Sequence, residues 1–269
     1  MRSAPRHHRT DGKLLDAGRT SRHDPNAPKP SKFARTTRQA LSQDELQREL
    51  GDALRRMQLD LDPTVCKRLL EYLALLAKWN AVYNLTAIRD LREMLVQHLF
   101  DCLAIIGPLR GQRLLAASSV VVDVGSGGGL PGVVIAIVEP RAQVHCVDTV
   151  SKKAAFIGQV RAELSLMNLH AHHARIEALQ VPADLPPANL IVSRAFSSLE
   201  QFVSCSAHLL SPEGAWAAMK GRLPEDEIAA LPAQAQLDTT ITLQVPMLDA
   251  SRHLLILRPC PKGDGSLNI

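Results

Sequence analysis

Ten consecutive residues, Asp123-Val124-Gly125-Ser126-Gly127-Gly128-Gly129-Leu130-Pro131-Gly132, have the types and spacing to hold a ligand. A run of valines ends in a glycine cluster and an apolar helical stretch follows, so a strand opens into a helix through a loop without large side chains. Glycines there permit positive φ and let a ligand approach the backbone closely. In open α/β sheets that crevice takes nucleotide-like ligands. Gly127, Gly129 and Gly132 formally satisfy G-x-G-x-x-G, the dinucleotide pattern. Two details point elsewhere. Asp123 stands at the carboxyl end of the strand, where a carboxylate suits a cationic group such as a methionine amino group and disfavours a pyrophosphate. The loop also lacks the lysine of a phosphate-binding P-loop. Asp148 closes the next apolar run, Gln143–Asp148, where it can accept hydrogen bonds from both ribose hydroxyls. These features favour S-adenosylmethionine over a dinucleotide, with a ligand-free glycine turn as the plain alternative.

Other residues carry weaker signals. His98 and Asp101 have helical i, i+3 spacing and could form a catalytic dyad or a structural hydrogen bond. Trp79 and Tyr83 could stack on a base or pack in the core. Asn80 and Asn84 suit substrate contact or a turn between helices. His170, His172 and His173 look like metal ligands, but they alternate along a strand and no acid or cysteine cluster joins them, so no metal is expected.

These residues need a frame to hold them. Ser42 is a plausible N-cap, with Asp44 and Glu45 in the first turn and Leu46, Leu50, Leu54 and Met57 at helical spacing. A second helix should start at Pro63 with Asp62 as cap, and a third should run from Asp90 to Ile106. The pattern then becomes strand and helix in alternation. Strands are expected at 120–124, 143–148, 170–174, 189–192, 215–219, 241–245 and 253–257, with helices at 130–138, 152–167 and 199–210. That grammar predicts an α/β fold with a mostly parallel, seven-stranded sheet covered on both faces and an antiparallel hairpin at its edge. The expected organisation is a disordered basic tail over 1–40, a small helical N-terminal region over 41–110 and a Rossmann-like domain over 111–269.

Composition narrows the class further. No apolar run reaches the roughly 18–20 residues of a membrane span, and the Met1 end lacks a secretory signal. The five cysteines are scattered, odd in number and without a CxxC pair, which predicts a reducing, cytoplasmic setting without disulfides or zinc. The net charge of +4 is unevenly placed: residues 1–40 carry +7, and the remainder carries −3. The basic balance therefore belongs to the tail, which is either an RNA-tethering arm or an extension without a role, and overall charge is no argument for RNA binding by the folded part.

The chain resembles the bacterial small-subunit ribosomal RNA guanine-N7 methyltransferases, the RsmG or GidB family, over roughly residues 41–260. The marks are Trp79-Asn80, Tyr83-Asn84-Leu85-Thr86, His98-Leu99-Phe100-Asp101, the glycine turn at 123–132, and Asp148 followed by Lys152-Lys153 and Phe156. Ala174-Arg175-Ile176-Glu177, Ser193-Arg194-Ala195 and Lys220-Gly221 complete the series. Their order and spacing are specific, although each alone is common. The resemblance implies a class I S-adenosylmethionine-dependent methyltransferase domain behind a helical region. It implies methyl transfer to N7 of a guanine in the 530 loop of 16S rRNA (position 527 in rRNA numbering), on rRNA, the 30S subunit or its precursor. It also implies cofactor contacts from Gly125, Leu130, Ile176, Glu177 and Arg194, beside Gly127, Asp123 and Asp148. Asn189 stands where the family often has Asp, Cys102 where Ser is usual, and the tail lies outside the pattern.

Guanine N7 already carries an in-plane lone pair, so the expected chemistry is placement without a general base. Arg194, just past the fourth strand, is the leading candidate to hold the base through O6 or a phosphate, with a structural ion pair as its alternative. Arg175 follows the third strand and could equally pair with Glu177. Lys220 follows the fifth and could meet an RNA phosphate or stand as an ordinary exposed lysine. An NAD-dependent oxidoreductase, a noncatalytic RNA-binding assembly factor and a small-molecule methyltransferase are the competing functions; the intact glycine loop argues against the second. Nothing in the sequence calls for more than a monomer.

Overall fold

The computed structural model describes residues 41–260; the expected basic tail at 1–40 lies outside them. The helical entry follows the local chemistry. α1 (Gln43–Arg56) starts at Ser42, whose hydroxyl accepts the Glu45 amide while the Glu45 carboxylate reaches back to the Ser42 amide. α2 (Pro63–Tyr83) starts at Asp62, which accepts from Thr64 N, and proline opens its first turn. α2 ends where Asn84 turns left-handed.

The third helix differs from expectation. Asp90 does cap it, accepting from the Arg92 and Glu93 amides. The helix is not continuous to Ile106, however. A short α3 (Leu91–Met94) passes into a π-helical segment, Leu95–Phe100, then α4 (Asp101–Leu103) and α5 (Ile106–Gly111). A π-turn inserts one residue per turn and rotates whatever follows it. The apolar period reads the same either way, so the sequence hides it.

The sheet has seven strands in the order β3-β2-β1-β4-β5-β7-β6. These are β1 (Val120–Val124), β2 (Gln143–Asp148), β3 (Leu169–His173), β4 (Ala188–Arg194), β5 (Leu210–Lys220), β6 (Ala235–Thr242) and β7 (His253–Pro259). β1 to β5 run parallel, and β7 lies antiparallel against both β5 and β6. The edge hairpin is present, but its outer strand is Ala235–Thr242 and not 241–245. That strand alternates exposed residues with partly buried ones, Ala235 alone being buried, as a one-sided edge does.

Alternate residues of the central strands feed two cores. Val121, Val144, Leu190, Ala217 and Ile256 face α1 to α5 together with α6 (Gly132–Val138) and α7 (Ser151–Glu163). Val122, Val147, Ile191, Trp216 and Leu255 face α8 (Leu199–Ser206) on the other side. The entry helices thus share one core with the sheet. Chain order reverses between β1 and β4, so their carboxyl ends diverge and leave a crevice.

Candidate active site

The crevice holds a cavity of about 480 Å³. Its floor is the glycine turn: Gly125, Ser126, Gly127, Gly128 and Leu130 line it. Arg194 and Ala195 arrive from the end of β4, Met219 to Gly221 from the end of β5, and Arg252 from the entry to β7. Leu76 of α2, the loop residues Leu85, Thr86 and Ile88, Gln97 and His98 of the π-turned segment, and Asp101 at the start of α4 form the opposite wall.

The turn is tied on three sides. Gly125, Gly127 and Gly129 have φ of 69°, 57° and 85°, so side chains would be strained at each. The Tyr72 hydroxyl, buried in α2, donates to Gly128 O at 2.6 Å. Asp148 accepts from Gly127 N and Val150 N, both at 2.9 Å, and Lys153 stands 3.7 Å from its carboxylate. Asp123 is fully buried and accepts from Gly132 N at 2.8 Å. Burial pushes its carboxyl up to about 7, against the lowering effects of the Gly132 amide and Arg194. Asp123 lies beneath the turn, outside the cavity lining, and its Oδ2 pins the start of α6.

Arg194 is the hub of the far wall. Its Nη1 donates to Gln97 O at 3.0 Å and to Asp101 Oδ2 at 3.4 Å, and lies 3.3 Å from His98 Nδ1. Asp101 Oδ1 accepts from Arg252 Nε at 3.0 Å, so one buried carboxylate holds two guanidinium groups. Among the described residues every Arg194 hydrogen bond leaves from Nη1, so Nε and Nη2 remain as donors toward the cavity. Burial works against the Arg194 charge, but Cys102, Asp101 and Tyr72 outweigh it and raise its pKa. His98 bonds Thr86 Oγ1 through Nε2 at 2.8 Å. Burial, then Arg194, lower it to about 4, so it is neutral at pH 7. His98 and Asp101 do not form the pair their spacing allowed, because the π-turn aims both at Arg194.

The remaining expected residues divide. Gly125, Gly127, Leu130, Arg194 and Lys220 line the cavity. The Lys220 ammonium is not free: it donates to both Glu227 oxygens, at 3.0 and 2.8 Å, and to Phe196 O. Arg175, Ile176 and Glu177 follow β3 and stay outside the cavity, with Ile176 buried and both charged neighbours exposed. They sit next to Asp148, since Ala174 N donates to Asp148 O. Asn80 is buried and shapes the cavity-wall loop, accepting from Thr86 N and donating to Ile88 O. Asn189 accepts from Val120 N and starts the β1–β4 pairing. His170 and His172 stack on His145 of β2, and no metal-holding cluster occurs among the described residues.

Arg252, Gln97 and Glu227 were missed by sequence reasoning. Arg252 reaches the site only through the β5–β7 register, and Gln97 contributes a carbonyl that carries no side-chain signal.

The family model "GidB: rRNA small subunit methyltransferase G" matches residues 65–255. The chain belongs to the rRNA small subunit methyltransferase G family. It is 52% identical over 217 residues to the ribosomal RNA small subunit methyltransferase G of Burkholderia multivorans, covering 80% of this chain and 93% of that one. The protein of the same name from Burkholderia vietnamiensis is 50% identical over the same shares. Similar solved structures include a ribosomal protein L11 methylase from Lactobacillus delbrueckii subsp. bulgaricus, with 16% identity, 60% of this chain and 76% of that chain covered, and a TM-score of 0.45. TrmN from Thermus thermophilus has 20% identity, covers 60% and 52%, and has a TM-score of 0.43. The sheet is the expected mostly parallel, seven-stranded Rossmann-like one, with its single antiparallel strand β7 set between β5 and β6. All the marks quoted above lie inside the matched span.

Proposed function

We propose that this chain methylates N7 of a guanine in the 530 loop of 16S rRNA, at position 527, with S-adenosylmethionine as donor. The carrying observation is Arg194, anchored by Nη1 to Gln97 O and Asp101, with two donors left toward a cavity floored by the glycine turn. The turn suits the cofactor: Gly125 and Gly127 expose backbone at positive φ, and Asp148 stands at the ribose position. Gly125, Gly127 and Leu130 would hold its methionine and ribose end, and Ile176 and Glu177 the adenine, beyond Asp148 along the sheet edge. The amide of Gly132, at the helix start where a dinucleotide would rest its pyrophosphate, is already taken by Asp123, which weighs against the oxidoreductase reading.

The bound cofactor supplies a methyl on a sulfonium whose sulfur departs with the bonding pair. The nucleophile's lone pair needs no deprotonation, and the neutral His98 and the doubly bonded Asp101 fit a site built for placement. Holding N7 in line can supply roughly 7–11 kcal/mol. The free Arg194 donors suit guanine O6 or a phosphate, leaving N7 unpaired. Arg252 lies on the same carboxylate and fits the RNA backbone. Lys220 places its charge at the mouth while Glu227 restrains it, and Arg175 is an exposed cation at the cofactor side. We infer a cytoplasmic monomer acting on rRNA, the 30S subunit or a precursor; no described helix is long and apolar enough to cross a membrane.

The test incubates the chain with methyl-labelled cofactor and either 30S particles or deproteinised 16S rRNA, then maps label by chemical cleavage at N7-methylguanine. Label at a single 530-loop guanine is expected. Absence of label from RNA in both arms would overturn the assignment.

A further inference from the structure

The rings at the end of α2 are not explained by the site just described. Tyr83 packs on Trp79 with centroids 5.1 Å apart, Trp79 packs on Phe156 at 5.4 Å, and Phe156 packs on Tyr72 at 6.4 Å. The inner rings, Phe156 and Tyr72, are fully buried. The outer one, Tyr83, is 43% exposed beside Val82 at 69%. Aromatics are only 3% of this chain, which has two tyrosines and two tryptophans, and both tyrosines and one tryptophan stand here. A ladder of rings anchored in the core, with its last rung in solvent, is a rigid apolar surface and not an incidental side chain.

Its position and charge indicate what it meets. Asn84 follows Tyr83 directly and begins the loop whose Leu85, Thr86 and Ile88 line the cavity. No acid occurs between Glu71 and Asp90, and Lys78 and Arg89 are exposed within that stretch. Arg89 also bonds Asn84 Oδ1. Lys152, one helical turn before Phe156 on α7, is exposed as well. An exposed ring one turn of chain from the cavity wall, with Arg89 held at the adjacent Asn84 and no acid in its own stretch of chain, matches single-stranded nucleic acid: bases stack on the ring and phosphates meet the cation.

We propose that Tyr83, braced by Trp79, is a stacking platform for an unpaired RNA base that flanks the methylated nucleotide. The proposal rests on the RNA-methyltransferase reading above. Recognition of RNA by base stacking requires bases already out of helical pairing, which loops provide.

The experiment compares the full chain with its Tyr83→Ala, Tyr83→Leu and Tyr83→Trp variants. It measures kcat and KM for whichever rRNA substrate the parent methylates, with cofactor Kd and Tm as checks on folding. Tyr83→Ala should raise the RNA KM about tenfold, with kcat and cofactor Kd within about twofold. Tyr83→Trp should restore the parent KM, and Tyr83→Leu should behave like Ala. An unchanged KM in Tyr83→Ala overturns the platform. So does full restoration by Leu, which would mark a merely apolar contact with protein. If the parent methylates no RNA, the functional reading has failed, and the platform is then judged by binding of a single-stranded oligoadenylate. Weaker binding by Ala and Leu than by the parent and Trp supports it, and equal binding by all four overturns it.

Discussion

Asp101 decides how the two arginines at the crevice stand. Its oxygens are divided between Arg194 and Arg252, and it is almost wholly buried. Asp101→Asn keeps the shape but removes the shared counter-charge, so one guanidinium faces an amide donor in place of an oxygen and Arg194 is left to Gln97 O. We expect methyl transfer to fall about a hundredfold, the scale of an ångström of misplacement. Cofactor affinity should hold, because the glycine turn is untouched; single-turnover rates and calorimetry would separate the two. Asp123 and the buried histidines give a second expectation. Asp123 has its folded pKa raised from 3.8 to about 7, so its stabilising contribution is complete below about 3.8 and lost as pH rises through 7. His98 and His145 are lowered by burial from 6.5 to about 4, so their contribution is present above 6.5 and lost as pH falls through 4. The two effects oppose each other in one window. Asp123→Asn removes one side, so its Tm should drop more steeply toward acid than the parent's. Parallel Tm profiles would refute the burial account.

Among the elements, the glycine turn and the helix starts were legible before any coordinates. Each rests on local chemistry: positive φ at Gly125, Gly127 and Gly129, and side-chain caps at Ser42, Asp62 and Asp90. What stayed hidden depends on geometry that a residue pattern does not encode. The π-turn at Leu95–Phe100 keeps an apolar face, yet His98 and Asp101 meet the same Arg194 Nη1 and form no hydrogen bond with each other. Arg252 enters by strand register alone. The outer edge strand, Ala235–Thr242, is half polar and so was displaced in the sequence reading. Tyr72→Phe tests the bond from α2 to the turn. It leaves Gly128 O without its 2.6 Å donor at a cost of about 1–3 kcal/mol. Thermal denaturation should show that loss together with weaker cofactor binding. Gly129→Ala should cost more than Gly128→Ala. Gly129 sits at φ 85° with Val133 Cγ2 2.3 Å from an added Cβ, whereas Gly128 meets only the flexible end of Leu76, at 2.9 Å.

Across the whole molecule, residues from α1 to α5 and one face of the sheet fill one apolar core, and the crevice opens along their seam. The glycine turn leans back on α2 through Tyr72 and forward on β2 through Asp148. Binding energy delivered to that turn is therefore shared with segments the ligand never reaches, since a ligand that favours the folded chain stabilises every part folding with it. Helix α1, whose Leu50 and Leu54 belong to the same core as Tyr72 and Leu76, has no residue in the cavity wall. Its amides should nonetheless exchange with deuterium more slowly once a nucleoside occupies the crevice. Proton exchange far from the ligand thus becomes a gauge of how firmly the opening helices brace the cofactor's seat.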